Sequence, residues 1–163
     1  MNVHVSWRCG KDFPRPPLAR LRRTVREIMR LADPSLSSVM ISFLAPDEMA
    51  VLNERFLGHS GATDVICFDY RADALPCPGG DDDPEVELLI CPAVALRESR
   101  KRGLTYSSEV TLYMIHGLLH AGGFDDLRPE LKRRMRAAER RVKQALPAGA
   151  DMIFPDPAEG DIA

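Results

Sequence analysis

Long apolar runs are missing from this sequence. No stretch approaches the roughly 20 residues needed to cross a bilayer, and the N-terminus has neither a basic start nor a leader-like apolar core. The expectation is a cytoplasmic chain with no membrane partner. Any Cys-x-x-Cys pair is also missing. Cys9, Cys67, Cys77 and Cys91 are scattered, two of them inside apolar strand-like runs, which fits buried reduced thiols better than disulfides or a closed structural metal site. Aromatic residues are only 6% of the chain and do not cluster, so no base-stacking platform for sequence-specific reading of single strands is indicated. There are no internal repeats. With a net charge of -2, neither sign dominates enough for bulk charge to drive indiscriminate binding to a polyanion.

What is present is uneven in its distribution. Arg15 to Arg30 carries six arginines and Arg128 to Lys143 eight basic residues, together 14 of the 22 Lys and Arg. Carboxylates gather elsewhere, in 73–87 and in the tail after residue 150. Such segregation fits basic helices lying near a polyanion, but from charge alone solvated helix faces are the better reading. At 163 residues, 45% hydrophobic and 28% charged, the chain has the length and composition of one soluble domain.

Periodicity sets out the elements. Val3, Val5 and Trp7 alternate as a strand, as do Val39, Ile41 and Phe43, while Val65–Phe68 and Val86–Cys91 read as two further short strands. Pro17 opens a helix with the stripe Leu18, Leu21, Val25, Ile28 and Met29. Pro46 opens a second helix to about Phe56, Pro92 a third to about Gly103, and Pro129 a last one with Leu131, Met135, Ala138 and Val142 inward. Between Thr105 and Ala121 a helix is apolar on most sides and is expected to be central and buried. Residues 73–85, rich in Pro, Gly and Asp, are expected to form an exposed acidic loop. Residues 148–163 are expected to be a frayed acidic tail, leaving 1–147 as the single domain. The class implied is α+β, with a small mixed sheet of about four strands and helices packed on it.

The chemistry concentrates at the end of that buried helix. His116 and His120 are four apart, so their imidazoles lie one turn apart on one face and can share a metal. Gly122 and Gly123 end the helix and let the chain double back. Asp125 and Asp126 follow, and a carboxylate delivered there can complete a three-ligand site with the fourth position left to water, as in catalytic zinc centres. In the His-Glu-x-x-His metalloproteases the general base follows the first histidine. Here that residue is Gly117, so the spacing is present without the peptidase's base.

These residues resemble a known family. His116-Gly117-Leu118-Leu119-His120-Ala121-Gly122-Gly123-Phe124-Asp125-Asp126 is similar to the signature of the YbeY endoribonucleases, His-Gly-x-Leu-His-x-x-Gly-Tyr-Asp-His. Leu52-Asn53 and Gly58 to Phe68, centred on Thr63-Asp64-Val65-Ile66, resemble a second block, and Glu87-Leu88-Leu89-Ile90-Cys91 resembles the family's Gly-Asp-Leu-x-Ile-Cys strand. The resemblance runs in order over about residues 37 to 145. It implies a single-strand-preferring, metal-dependent endoribonuclease of rRNA maturation, acting at the 3′ end of small-subunit rRNA and in ribosome quality control, with ribosomal RNA and the small ribosomal subunit as partners. His116 and His120 match the first two zinc ligands. Asp126 matches the third, usually histidine; the carboxylate keeps one zinc per chain as the expected cofactor and makes another divalent metal more plausible. Asp125 has competing roles, orienting a ligand or capping the last helix.

The family also has an arginine after the aromatic of its upstream block. This chain has Phe56-Leu57-Gly58-His59, so Arg55, His59 or an arginine of the basic helices would have to meet the phosphate. Two alternatives remain: a zinc metallopeptidase-like hydrolase, and a non-catalytic ribosome-assembly factor that retains the fold.

Overall fold

The computed structural model describes residues 1–71 and 83–157. The element order is β1 (Asn2–Arg8), α1 (Leu18–Ala32), β2 (Ser38–Leu44), α2 (Pro46–Leu57), β3 (Val65–Asp69), β4 (Val86–Ile90), α3 (Pro92–Arg102), α4 (Tyr106–Ala121) and α5 (Pro129–Ala145). The four strands form one mixed sheet in the order β1-β2-β4-β3, parallel except where β3 runs antiparallel to β4. This is the expected α+β architecture.

Strand alternation divides the apolar residues between the two faces of the sheet. Val39, Ile41 and Phe43 of β2 with Val86, Leu88 and Ile90 of β4 join the large core beneath the helices. Leu44, Ile66 and Leu89 face a smaller cluster with Met49 of α2 and Val94 of α3. Helix α4 is the centre of the large core and touches α1, α3, α5, β3 and β4. Thr105 starts it, accepting the Ser108 N–H on its hydroxyl at 3.1 Å.

From Val110 to His120, only Leu112, His116 and His120 are not fully buried. Their spacing of four makes one open stripe along an otherwise enclosed helix. Gly117, the residue after the first histidine, is packed on the sheet although it also borders the space beside the histidines. A Cβ on Gly117 would lie 2.7 Å from Leu88 Cδ2 and 3.3 Å from Val65 Cγ2, so the missing side chain is what seats α4 on β3 and β4.

One expectation about the acidic tail needs correction. The tail does not fray at once: Ile153 and Phe154 are buried, Phe154 packs on Phe43 and Tyr106, and its N–H donates to Ser107 Oγ at 3.0 Å. Two apolar side chains suffice to dock a segment whose composition is otherwise polar. Residues 158–163 lie outside the described residues. The end of the acidic loop is likewise anchored, because Glu85 accepts the Ser37 N–H at 2.8 Å and its own N–H donates to Ser38 Oγ. Residues 73–82, with Cys77, lie outside the described residues.

Arg71 ties the end of β3 to the end of α4. Its guanidinium donates to Asp33 Oδ2 at 2.9 Å, to both carboxylate oxygens of Asp69, and to the Ala121 carbonyl at 3.0 Å, one of the acceptors left unpaired at a helix C-terminus. Burial alone would raise the Asp33 carboxyl, but hydrogen bonds from Ser35 and Arg71 outweigh it and lower its pKa. A lowered folded-state pKa gives stability that is present above the unfolded value and lost as pH falls through the folded one. Arg71→Ala is therefore expected to cost about 1–2 kcal/mol in urea unfolding at pH 7, and the difference from wild type is expected to shrink on acidification into the depressed Asp33 range.

Candidate metal centre and its two clefts

The helix spacing and the turn after α4 together build one cluster. His116, His120 and Asp126 offer ligand atoms that all lie within 4.8 Å of one another. His120 Nδ1 donates to the Phe124 carbonyl at 3.0 Å; a carbonyl can only accept, so this fixes the proton on Nδ1 and turns Nε2 inward. His116 Nδ1 donates to Glu139 Oε1 at 2.7 Å and likewise turns its Nε2 inward. The two Nε2 atoms meet at 3.0 Å, and Asp126 carboxylate oxygens stand 3.8 Å from His116 Nε2 and 3.6 Å from His120 Nε2.

These separations match a metal site. Bonds of about 2.0–2.1 Å at tetrahedral angles put neighbouring donor atoms about 3.3 Å apart, leaving a fourth position open. Two lone pairs facing each other at 3.0 Å repel unless they share a cation or a proton. Burial would lower His116, but the Glu139 hydrogen bond and the fields of Glu139, Asp126 and Asp64 outweigh it and raise its pKa. His120 is lowered, by burial first and then by His116. The two rings thus present their Nε2 atoms to one centre beside the Asp126 carboxylate, a donor set suited to a single cation.

The turn uses its two glycines differently from the sequence expectation. Only Gly123 is left-handed, with φ 87°; Gly122 has φ −75°. What Gly122 supplies is proximity, because a Cβ there would lie 2.8 Å from the Ala32 carbonyl oxygen at the end of α1. Asp125 does not cap α5, whose N-cap is Arg128 with no side-chain cap bond. Instead Asp125 Oδ1 accepts the N–H groups of Asp126 at 2.6 Å and Leu127 at 3.0 Å, holding the backbone of the third ligand in place.

Glu139 is the residue that sequence reasoning missed. It is a carboxylate in a basic helix, next to the buried stripe of Met135, Ala138 and Val142, but nothing local pairs it with a histidine 23 positions earlier. Such a carboxylate fixes the ring orientation and basicity of a metal-ligating histidine. Glu139→Gln keeps the shape and removes the charge; metal affinity, read by competition with a chromophoric chelator, is expected to fall about 10- to 100-fold.

Two clefts meet at the cluster. One, of about 340 Å³, is lined by Asp64, Arg102, Tyr113, His116, Asp126, Lys132, Arg136 and Glu139. The other, of about 480 Å³, is lined by Leu57, His59, Val65, Cys67, His116, His120, Asp126 and Leu127. His59 is therefore beside the candidate ligands, with Leu57. Arg55 is not: it lines neither cleft, and its guanidinium lies over the ring of its neighbour Phe56, 5.4 Å from the centroid.

Comparison with known proteins follows the same lines. A family model described as Endoribonuclease YbeY matches residues 15–147. The Endoribonuclease YbeY of Frankia casuarinae is 35% identical over 141 residues, covering 83% of this chain and 69% of the relative. That of Acidothermus cellulolyticus is 33% identical over 154 residues, covering 89% and 91%. The solution structure of a Thermotoga maritima protein superposes with a TM-score of 0.51 at 21% identity, covering 87% of this chain and 89% of that one, so the fold is shared.

Proposed function

The chain belongs to the YbeY endoribonuclease family, and from that membership and the cluster geometry we propose that it is a metal-dependent endoribonuclease whose metal is held by His116, His120 and Asp126. The observation that carries the site assignment is the pair of inward Nε2 atoms, each fixed by a partner on Nδ1, with the Asp126 carboxylate beside them. A divalent ion bound there supplies Lewis acidity toward a phosphoryl oxygen and acidifies a water that would be inert in bulk. Zinc suits two imidazoles and a carboxylate, one ion per chain.

The protein's own contribution is positional. Glu139 and the Phe124 carbonyl orient the two rings, Asp125 holds the backbone that carries Asp126, and the joined clefts admit an extended strand across the ligands. We assign ribosomal RNA as the physiological substrate, at the 3′ end of the small-subunit species, with the small ribosomal subunit as partner and the cytoplasm as compartment.

The peptidase alternative is disfavoured by the packing of Gly117. The position that carries the general base in His-Glu-x-x-His enzymes is here a glycine packed against Leu88 and Val65, so the base is missing and any side chain there would have to displace Leu88. The test of the endoribonuclease reading is cleavage of a circular single-stranded RNA, which has no ends for an exonuclease. Wild type is expected to linearise it in a chelator-sensitive way and His116→Ala to leave it closed. Cleavage by His116→Ala at the wild-type rate would refute the site assignment, and an inert wild type with full ribosome binding would favour the assembly-factor alternative.

A further inference from the structure

We propose that Lys132 and Arg136 form a phosphate clamp on the α5 wall of the metal centre, and that Leu57 and Leu127 in the adjoining cleft take the nucleoside. This rests on the endoribonuclease reading and adds to it the direction in which the RNA lies. Lys132, Arg136 and Glu139 stand at i, i+4 and i+7, so they share one face of α5. The Glu139 hydrogen bond to His116 turns that face to the metal ligands, and both cations line the cleft shared by His116 and Asp126.

The remaining charges of this cleft are already engaged. Glu139 is bonded to His116, Arg102 lies 3.3 Å from the fully buried Glu109 carboxylate, Asp64 Oδ1 accepts the Val65 N–H at 2.9 Å, and Asp126 faces the two imidazoles. The side chains of Lys132 and Arg136 have no hydrogen bond or ion pair among the described residues. Two unengaged cations in a concave wall beside a metal centre are placed to bind a phosphodiester anion.

The other basic helix offers nothing equivalent there. Arg22 and Arg26 of α1 donate to the carbonyls of Val3 and Met1, and Arg30 pairs with Glu27; Arg20 and Arg23 line a separate small cleft with Pro147–Ile153. Arg22 and Arg26 brace the N-terminal strand, and none of these arginines lines either cleft at the candidate ligands. The second cleft has no lysine or arginine in its lining, and Leu57 and Leu127 stand 50% and 87% exposed at it. Exposed leucines in one cleft and free cations in the adjoining one, the two meeting at His116 and Asp126, fit the two halves of a nucleotide.

The experiment is fluorescence anisotropy of metal-stripped protein with 5′-labelled single-stranded RNA 12-mers, one U-rich and one A-rich, across a KCl titration. Lys132→Ala and Arg136→Ala are each expected to bind about tenfold more weakly, equally for both RNAs, with the log–log salt slope reduced by about 0.7 per cation removed. Leu57→Ser with Leu127→Ser is expected to weaken binding without changing the slope. Arg141→Ala, on the far side of α5, is expected to match wild type, and thermal melts control for folding. Wild-type affinity and slope in both cation variants would overturn the clamp. If wild type binds in this way yet fails to open circular RNA when metal is restored, the clamp stands and the endoribonuclease reading fails. If wild type cleaves and the two variants bind and cleave as it does, the clamp alone fails.

Discussion

Asp126→Ala is expected to lose both stoichiometric metal and RNA cleavage while melting within a few degrees of wild type. The separation of effects follows from which aspartate does what. Asp125 accepts the backbone N–H groups that shape the turn, whereas the Asp126 carboxylate faces only the two imidazoles, at 3.8 and 3.6 Å, and is about one-third exposed. Removing it takes away one of three ligands and no structural hydrogen bond. Loss of a group that merely orients a ligand costs about 10- to 100-fold in metal affinity, so loss of the ligand itself is expected to cost about 100-fold or more. Isothermal titration with zinc, alongside cleavage of circular RNA, measures both. Undiminished cleavage in this variant would remove Asp126 from the site.

Gly117→Glu, which would recreate the sequence of a His-Glu-x-x-His peptidase, is expected to be destabilised. The added Cβ alone would stand 2.7 Å from Leu88 Cδ2, inside the contact between α4 and the sheet, so the fully buried Leu88 has to move before the carboxylate can reach the cleft that Gly117 borders. Overpacking of this kind typically costs about 1–3 kcal/mol, and a loss in that range is expected. Gly117→Ala isolates the effect of the Cβ. Its helix-propensity gain of about 1 kcal/mol opposes the overpacking, and a net destabilisation of about 1 kcal/mol is expected in urea unfolding. A soluble, folded Gly117→Glu protein with peptidase activity would revive the alternative that the packing disfavours.

These two substitutions mark what was legible in the sequence. The strands, the five helices and the His116–His120 pair were readable because each is set by local period or by a fixed spacing of four. Tertiary partners carried no such signal. Glu139 lies 23 residues from the histidine that it orients. Gly122 reads as a turn glycine, while its actual constraint is the Ala32 carbonyl of a distant helix. Ile153 and Phe154 are too short an apolar pair to show periodicity, yet they dock the tail onto Phe43 and Tyr106. The clefts were also beyond reach: the sequence offered Arg55 and His59 as equivalent candidates near Leu57, and only the fold puts His59 beside the candidate ligands and Arg55 outside both clefts.

The central claim is that one divalent metal at His116, His120 and Asp126 drives RNA cleavage. Its most direct test is metal analysis of protein purified without an affinity tag or added metal, with circular-RNA cleavage measured before chelation, after chelation, and after return of a single equivalent of zinc. The account predicts about one zinc per chain, cleavage abolished by chelation, and cleavage restored by that equivalent. Metal-free protein that cleaves at full rate, or cleavage indifferent to chelation, would contradict it.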